Sequence, residues 1–148
     1  MEEIAMGAFG HCLCGAVTYS AEDVETGIHS CHCGMCRRWN GGPAFAVSVG
    51  KVTFEGEQNI TRYDSSAWAE RGFCNRCGTN LFYRLKEADH YVLWMGTFDD
   101  QAPFKLAGEI YIDEKPLVYD LAGDHPRMTG EEFMASLQQQ EIVSQRAV

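Results

Sequence analysis

A chain of 148 residues is long enough to bury a core without cross-links, since folding at that size hides roughly 70% of the surface the unfolded chain exposes. Twelve Lys and Arg against 21 Asp and Glu leave a formal charge of −9, which repels the phosphate backbone that supplies most non-specific nucleic-acid affinity, so nucleic acid is an unlikely partner. No stretch approaches the roughly 18 apolar residues of a membrane span, and Met1 to Gly10, acidic at Glu2 and Glu3, has no apolar core of an export signal. We read one soluble, cytoplasmic domain over 1–148 that meets no membrane.

In chain order, the first chemical feature is Cys12-Leu13-Cys14, followed by a strand expected from Ala16 to Ser20. Residues two apart in a strand share a face, so Cys12 and Cys14 are expected to present both sulfurs to one ion while His11 and Leu13 point away. Cys31 and Cys33 are expected to do likewise, with Cys36 completing a CxCxxC motif that leads into Arg37, Arg38 and Trp39. Short apolar runs predict strands at Ala44 to Val49, Leu81 to Leu85, Tyr91 to Met95 and Ile110 to Ile112. Phe45, Val47 and Val49, and again Leu81, Tyr83 and Leu85, alternate as strands burying one face do, while the Tyr91 run is apolar throughout and expected to be central. Cys74-Asn75-Arg76-Cys77-Gly78 has the form of a metal knuckle, whose trailing glycine accepts backbone angles that a side chain resists, and Gly15 and Gly34 are placed to act similarly. Thr129-Gly130-Glu131-Glu132 is a capping box. It opens a helix expected from about Gly130 to Gln140, with Phe133, Met134 and Leu137 as its apolar stripe. Trp39 is expected to line a cleft, and Trp68 and Trp94 to pack in the core.

Seven cysteines in three tight clusters read as zinc ligands, because a soft divalent ion at about 2.3 Å needs its ligands close together. In a reducing compartment such thiolates stay available to metals. Redox cycling of the CxxC pair is disfavoured, since the strand–helix context of thioredoxin-like motifs is missing. Spacing alone does not say which clusters join. Uniting CxC with CxxC gives four sulfurs and a closed, structural centre, and leaves the three sulfurs of CxCxxC for an open centre, where a labile zinc keeps one position for water or a thiol. Six of the eight arginines, Arg37, Arg38, Arg62, Arg71, Arg76 and Arg84, cluster around the last two motifs. Arg37 and Arg38, next to Cys36, are the candidates for clamping a substrate carboxylate, because a guanidinium meets a carboxylate through paired hydrogen bonds. His32, Glu70 and His90 are candidate proton carriers.

The segments Gly10-His11-Cys12-Leu13-Cys14-Gly15-Ala16-Val17-Thr18-Tyr19, Cys31-His32-Cys33-Gly34-Met35-Cys36-Arg37 and Phe73-Cys74-Asn75-Arg76-Cys77-Gly78-Thr79, with Gly96-Thr97-Phe98-Asp99-Asp100, resemble the glutathione-dependent formaldehyde-activating enzyme family, also called the CENP-V/GFA domain. The resemblance covers roughly 8–127. It implies a mainly β, Mss4-like (β-tent) fold, a structural zinc on Cys12, Cys14, Cys74 and Cys77, and a second zinc on Cys31, Cys33 and Cys36. It also implies carbon–sulfur lyase or synthase chemistry on an adduct of glutathione, or a similar small thiol, with an aldehyde, of the S-hydroxymethylglutathione type; the second zinc would receive the thiol sulfur. The alternative is a non-enzymatic zinc module for a protein or nucleic-acid partner. Two late positions depart from the family pattern: Glu109 stands where many members carry a histidine, and the tryptophan often found after a later Lys-Pro step is missing from Lys115-Pro116-Leu117-Val118.

Overall fold

The computed structural model describes residues 4–146, and their side chains over 7–138. In chain order the strands are β1 (Ile4–His11), β2 (Thr18–Glu25), β3 (Gly27–Cys31), β4 (Ala44–Ser48), β5 (Lys51–Glu55), β6 (Ile60–Asp64), β7 (Ala69–Cys74), β8 (Asn80–Leu85), β9 (His90–Trp94) and β10 (Lys105–Ile110). Two helices, α1 (Gly34–Asn40) and α2 (Gly130–Arg146), complete the mainly β, Mss4-like class that the resemblance implies. The fold divides into two compact units, one of Met1–Ile28 and Phe45–Lys105, the other of His29–Ala44 and Leu106–Val148. Each holds one group of cysteines.

In the first unit β1, β2 and β5 form an antiparallel sheet, with Ala8 opposite Ala21 and Ala21 opposite Val52. Along β2, Tyr19 and Ala21 are buried while Ser20 and Glu22 face solvent, the alternation of a strand with one wet face. A second ladder runs β4-β9-β8-β7-β6. It places the apolar β9 between two neighbours, as its composition requires. Strand β8 departs from the expected alternation: Leu81 and the next residue, Phe82, are both fully buried, at a register shift in the pairing with β7, where Gly72 faces Phe82 and Phe73 faces Asn80. Phe82 meets Phe54 at 5.4 Å and Tyr91 at 5.0 Å between ring centres, and Tyr19 joins this group through Phe54 at 6.0 Å. The Gly96–Asp100 segment closes onto β1: Phe98 bridges to Gly10, and Asp99 pairs with His11 at 2.6 Å. Trp94 is buried as expected, whereas Trp68 is 62% exposed, since it lies in the turn between β6 and β7 rather than on a strand.

In the second unit β3 and β10 are neighbours, and His32 extends the pairing by donating its N–H to the Ile110 carbonyl at 3.1 Å. The strand expected at Ile110 to Ile112 stops early. Tyr111 adopts a left-handed φ of 57°, and Ile112–Glu114 turns into one short 3-10 turn. The capping box forms as read: the Glu132 N–H donates to Thr129 Oγ1 at 3.1 Å and the Thr129 N–H to Glu132 Oε1 at 2.9 Å. Helix α2 continues past the expected end to Arg146. Its expected stripe is narrower than the spacing implies. Phe133 packs on Tyr111 at 6.1 Å and the Gly130 N–H donates to Asp113 Oδ1 at 2.9 Å, but Met134 and Leu137 are 49% and 37% exposed. No helix among the described residues is long and apolar enough to cross a membrane.

Candidate metal centres

Cys12, Cys14, Cys74 and Cys77 converge in the first unit, their sulfurs all within 4.8 Å of one another. Cys12 and Cys14 do not lie in a strand, as their spacing predicts, but in a turn that β1 enters at Cys12. The reason is local hydrogen bonding: the Cys12 N–H donates to the Val17 carbonyl at 3.0 Å and the Gly15 N–H to the Cys12 carbonyl at 3.1 Å, which closes the chain before β2 starts at Thr18. The turn at Cys74 repeats this plan. Cys74 N–H donates to Thr79 O at 2.9 Å and Gly78 N–H to Cys74 O at 2.7 Å. Gly15 and Gly78 take φ of 79° and 80°, a region that a Cβ disfavours. In each turn an amide points at the first sulfur, from Val17 to Cys12 at 3.3 Å and from Arg76 to Cys74 at 3.4 Å. Thr79 staples the turns together, accepting from the Leu13 N–H at 3.0 Å and lying 3.2 Å from Cys77 Sγ.

A tetrahedron with metal–sulfur arms of about 2.3 Å has sulfur–sulfur edges of about 3.8 Å. The Cys12–Cys14 and Cys14–Cys74 sulfurs are 3.7 and 3.8 Å apart. The geometry and the all-thiolate donor set therefore fit zinc.

In the second unit the sulfurs of Cys31, Cys33 and Cys36 also lie within 4.8 Å of one another. They do not share an extended strand. Cys31 ends β3, Cys33 is the N-cap of α1 and Cys36 sits in the first turn of that helix, because the Cys33 sulfur accepts the Cys36 N–H at 3.4 Å and so starts a helix. Gly34 is accordingly helical and does not take the left-handed role of Gly15. Three soft donors match a zinc centre with a place left over.

Hydrogen bonds from Cys31 and Cys36 pull the Cys33 pKa down to about 2, while the same contacts and burial push Cys31 well above the ordinary thiol range. Thr79 and neighbouring amides outweigh burial to bring Cys77 down to about 5. Several thiolates crowded together repel, and a divalent cation is what lets them ionise at once.

His32, between two of the three cysteines, is fully buried. Its Nε2 is 2.7 Å from Glu109 Oε1 and its Nδ1 is 3.0 Å from the Tyr119 hydroxyl. With both ring nitrogens engaged it is not a ligand. Of the other named proton carriers, Glu70 pairs with Arg62 at 2.6 Å and Arg84 at 3.0 Å, and His90 meets Ser48 at 3.4 Å; both belong to the first unit. Arg37, Arg38 and Trp39 lie on α1. Arg37 is turned back, its Nε donating to the His32 carbonyl at 2.9 Å, while Arg38 is exposed and Trp39 half-buried. The roles of Glu109, Tyr119 and Thr79 are not apparent in the motifs. Glu109 and Tyr119 stand 77 and 87 residues from His32, and no spacing rule spans such a gap.

A family model described as glutathione-dependent formaldehyde-activating enzyme matches residues 8–114. An uncharacterized lyase of Schizosaccharomyces pombe is 33% identical over 130 residues, which span 86% of this chain and 95% of that protein. Among solved structures, the crystal structure of a Rhodobacter sphaeroides protein matches with a TM-score of 0.52 at 21% identity, over 80% of this chain and 98% of that one. At that identity the likeness is one of fold.

Proposed function

Since the chain belongs to the glutathione-dependent formaldehyde-activating enzyme family, we propose that it is a zinc-dependent carbon–sulfur lyase or synthase acting on the adduct of an aldehyde with glutathione or a similar small thiol. In this reading Cys12, Cys14, Cys74 and Cys77 hold a structural zinc, and Cys31, Cys33 and Cys36 a second, chemically active one. A zinc bound by three thiolates supplies an open Lewis-acidic position that lowers the pKa of an incoming thiol. The observation that carries the reading is the three-sulfur group beside a histidine whose two nitrogens are already engaged, which leaves the fourth position to a substrate.

The chain's own residues then bind and orient. Arg38, exposed on α1, offers a planar pair of donors to a carboxylate of the thiol peptide. Arg37 contributes its terminal nitrogens while its Nε stays on the His32 carbonyl, and Trp39 forms part of the wall. In the synthetic direction the sulfur–carbon bond forms at the aldehyde carbon and the thiol proton ends on the former carbonyl oxygen; the lyase direction reverses both.

Exchange NMR on formaldehyde and glutathione tests this. The zinc-replete protein is expected to speed adduct interconversion above the spontaneous rate, and Cys33→Ser to abolish that gain. Interconversion at the spontaneous rate with both zincs bound would overturn the proposal.

A further inference from the structure

Glu109 is 1% exposed on β10, and a buried carboxylate is costly unless it is fully paired. Here it accepts from three donors, His32 Nε2 at 2.7 Å, His125 Nε2 at 2.6 Å and Arg127 Nε at 2.8 Å. An ionised carboxylate can only accept, so both imidazoles present Nε2–H to it. The other His32 nitrogen, Nδ1, lies 3.0 Å from the Tyr119 hydroxyl. The backbone of His32 is held as well: its N–H donates to Ile110 O at 3.1 Å and its carbonyl accepts from Arg37 Nε at 2.9 Å.

His32 is thus gripped at four atoms, and its chain neighbours on both sides are Cys31 and Cys33. The segment that supplies the grip is itself fastened. Lys115 Nζ bonds the Tyr119 carbonyl and pairs with Asp120 at 2.9 Å, and Arg127 Nη2 donates to the Leu121 and Gly123 carbonyls, both at 3.0 Å. The four-cysteine group has its amides and tight turns to aim its sulfurs. The three-cysteine group has one such amide, from Cys36 to the Cys33 sulfur at 3.4 Å, and this side-chain frame.

We propose that Glu109 is a positioning residue for the three-cysteine centre: through His32 it fixes Cys31 and Cys33 in a metal-ready arrangement before any ion arrives. The inference rests on reading Cys31, Cys33 and Cys36 as a metal centre. Outer partners of this kind typically change metal affinity about 10–100-fold when removed.

The test is zinc release from the two-zinc protein to a metallochromic chelator, with the phase belonging to the three-cysteine centre identified by its loss in Cys33→Ser. Glu109→Gln keeps the shape and removes the charge. It is expected to accelerate that phase about 10–100-fold and leave the four-cysteine phase unchanged. Tyr119→Phe, which removes one hydroxyl from the same frame, is expected to act on the same phase more weakly, and it carries the test if Glu109→Gln does not fold. Wild-type release rates in the variant that folds, or equal acceleration of both phases, would show general packing instead and overturn the proposal. A wild-type protein that binds a single zinc under zinc-replete, anaerobic conditions would overturn the underlying metal reading and this inference with it.

Discussion

The four-cysteine and three-cysteine groups differ in what holds their sulfurs. In the first, each pair sits in its own turn, with an amide on the leading sulfur and a left-handed glycine behind the second cysteine. In the second, the sulfurs hang on a strand end and a helix start, and the residue between two of them is braced from far along the chain. Backbone turns make a rigid, self-contained cage suited to a closed centre. The three-cysteine group draws instead on a side-chain frame that reaches Glu109 and Tyr119, far along the chain.

Cys74→Ser is the most severe way to break this contrast, because Cys74 is fully buried and a structural zinc contributes on the order of 10 kcal/mol of apparent folding free energy. Circular dichroism is expected to show a chain that no longer folds cooperatively at ordinary temperature. Cys33→Ser is expected to keep the native spectrum, lose one zinc by elemental analysis and lose activity by at least about a hundredfold, the upper end of what weaker outer-shell changes cost.

Glu109 sharpens the contrast through pH. Burial raises its pKa, but hydrogen bonds from His125 and His32, with the charges of His32 and Arg127, outweigh burial and hold it below the ordinary value of 4.5. A depressed carboxylate contributes stability that is fully present above the unfolded value and is lost as pH falls through the folded one. Denaturant unfolding of the wild type is therefore expected to weaken below about pH 4.5 more steeply than that of Glu109→Gln, and parallel curves would contradict the assignment. Thr129→Ala has the smallest expected effect. Loss of the α2 cap costs about 1 kcal/mol, and zinc content is expected to stay at the wild-type level in both centres.

What was legible in the sequence follows the same division. The knuckle at Cys74, the capping box at Thr129 and the central position of β9 all depend on residues a few places apart, and the structure shows each. The expectation of strands through Cys12 and Cys14, and through Cys31 and Cys33, failed because a spacing of two fits a tight turn or a strand-to-helix junction as well as a strand. Helix α1 was hidden because its cap is a cysteine and its first residue a glycine, neither of which advertises a helix. Glu109 is notable in sequence only as a departure from the family's histidine. That it meets His32 on one side and His125 and Arg127 on the other depends on β3 lying beside β10 and on the bridge that pairs Glu109 with Arg127.

Zinc-edge X-ray absorption of the two-zinc protein, recorded before and after saturation with glutathione, tests the distinction between a closed and an open centre most directly. The account predicts a shell of sulfur at about 2.3 Å with a minor oxygen or nitrogen contribution, which glutathione replaces by sulfur in the wild type. A shell that is wholly sulfur from the start, or one that glutathione leaves unchanged, would contradict it.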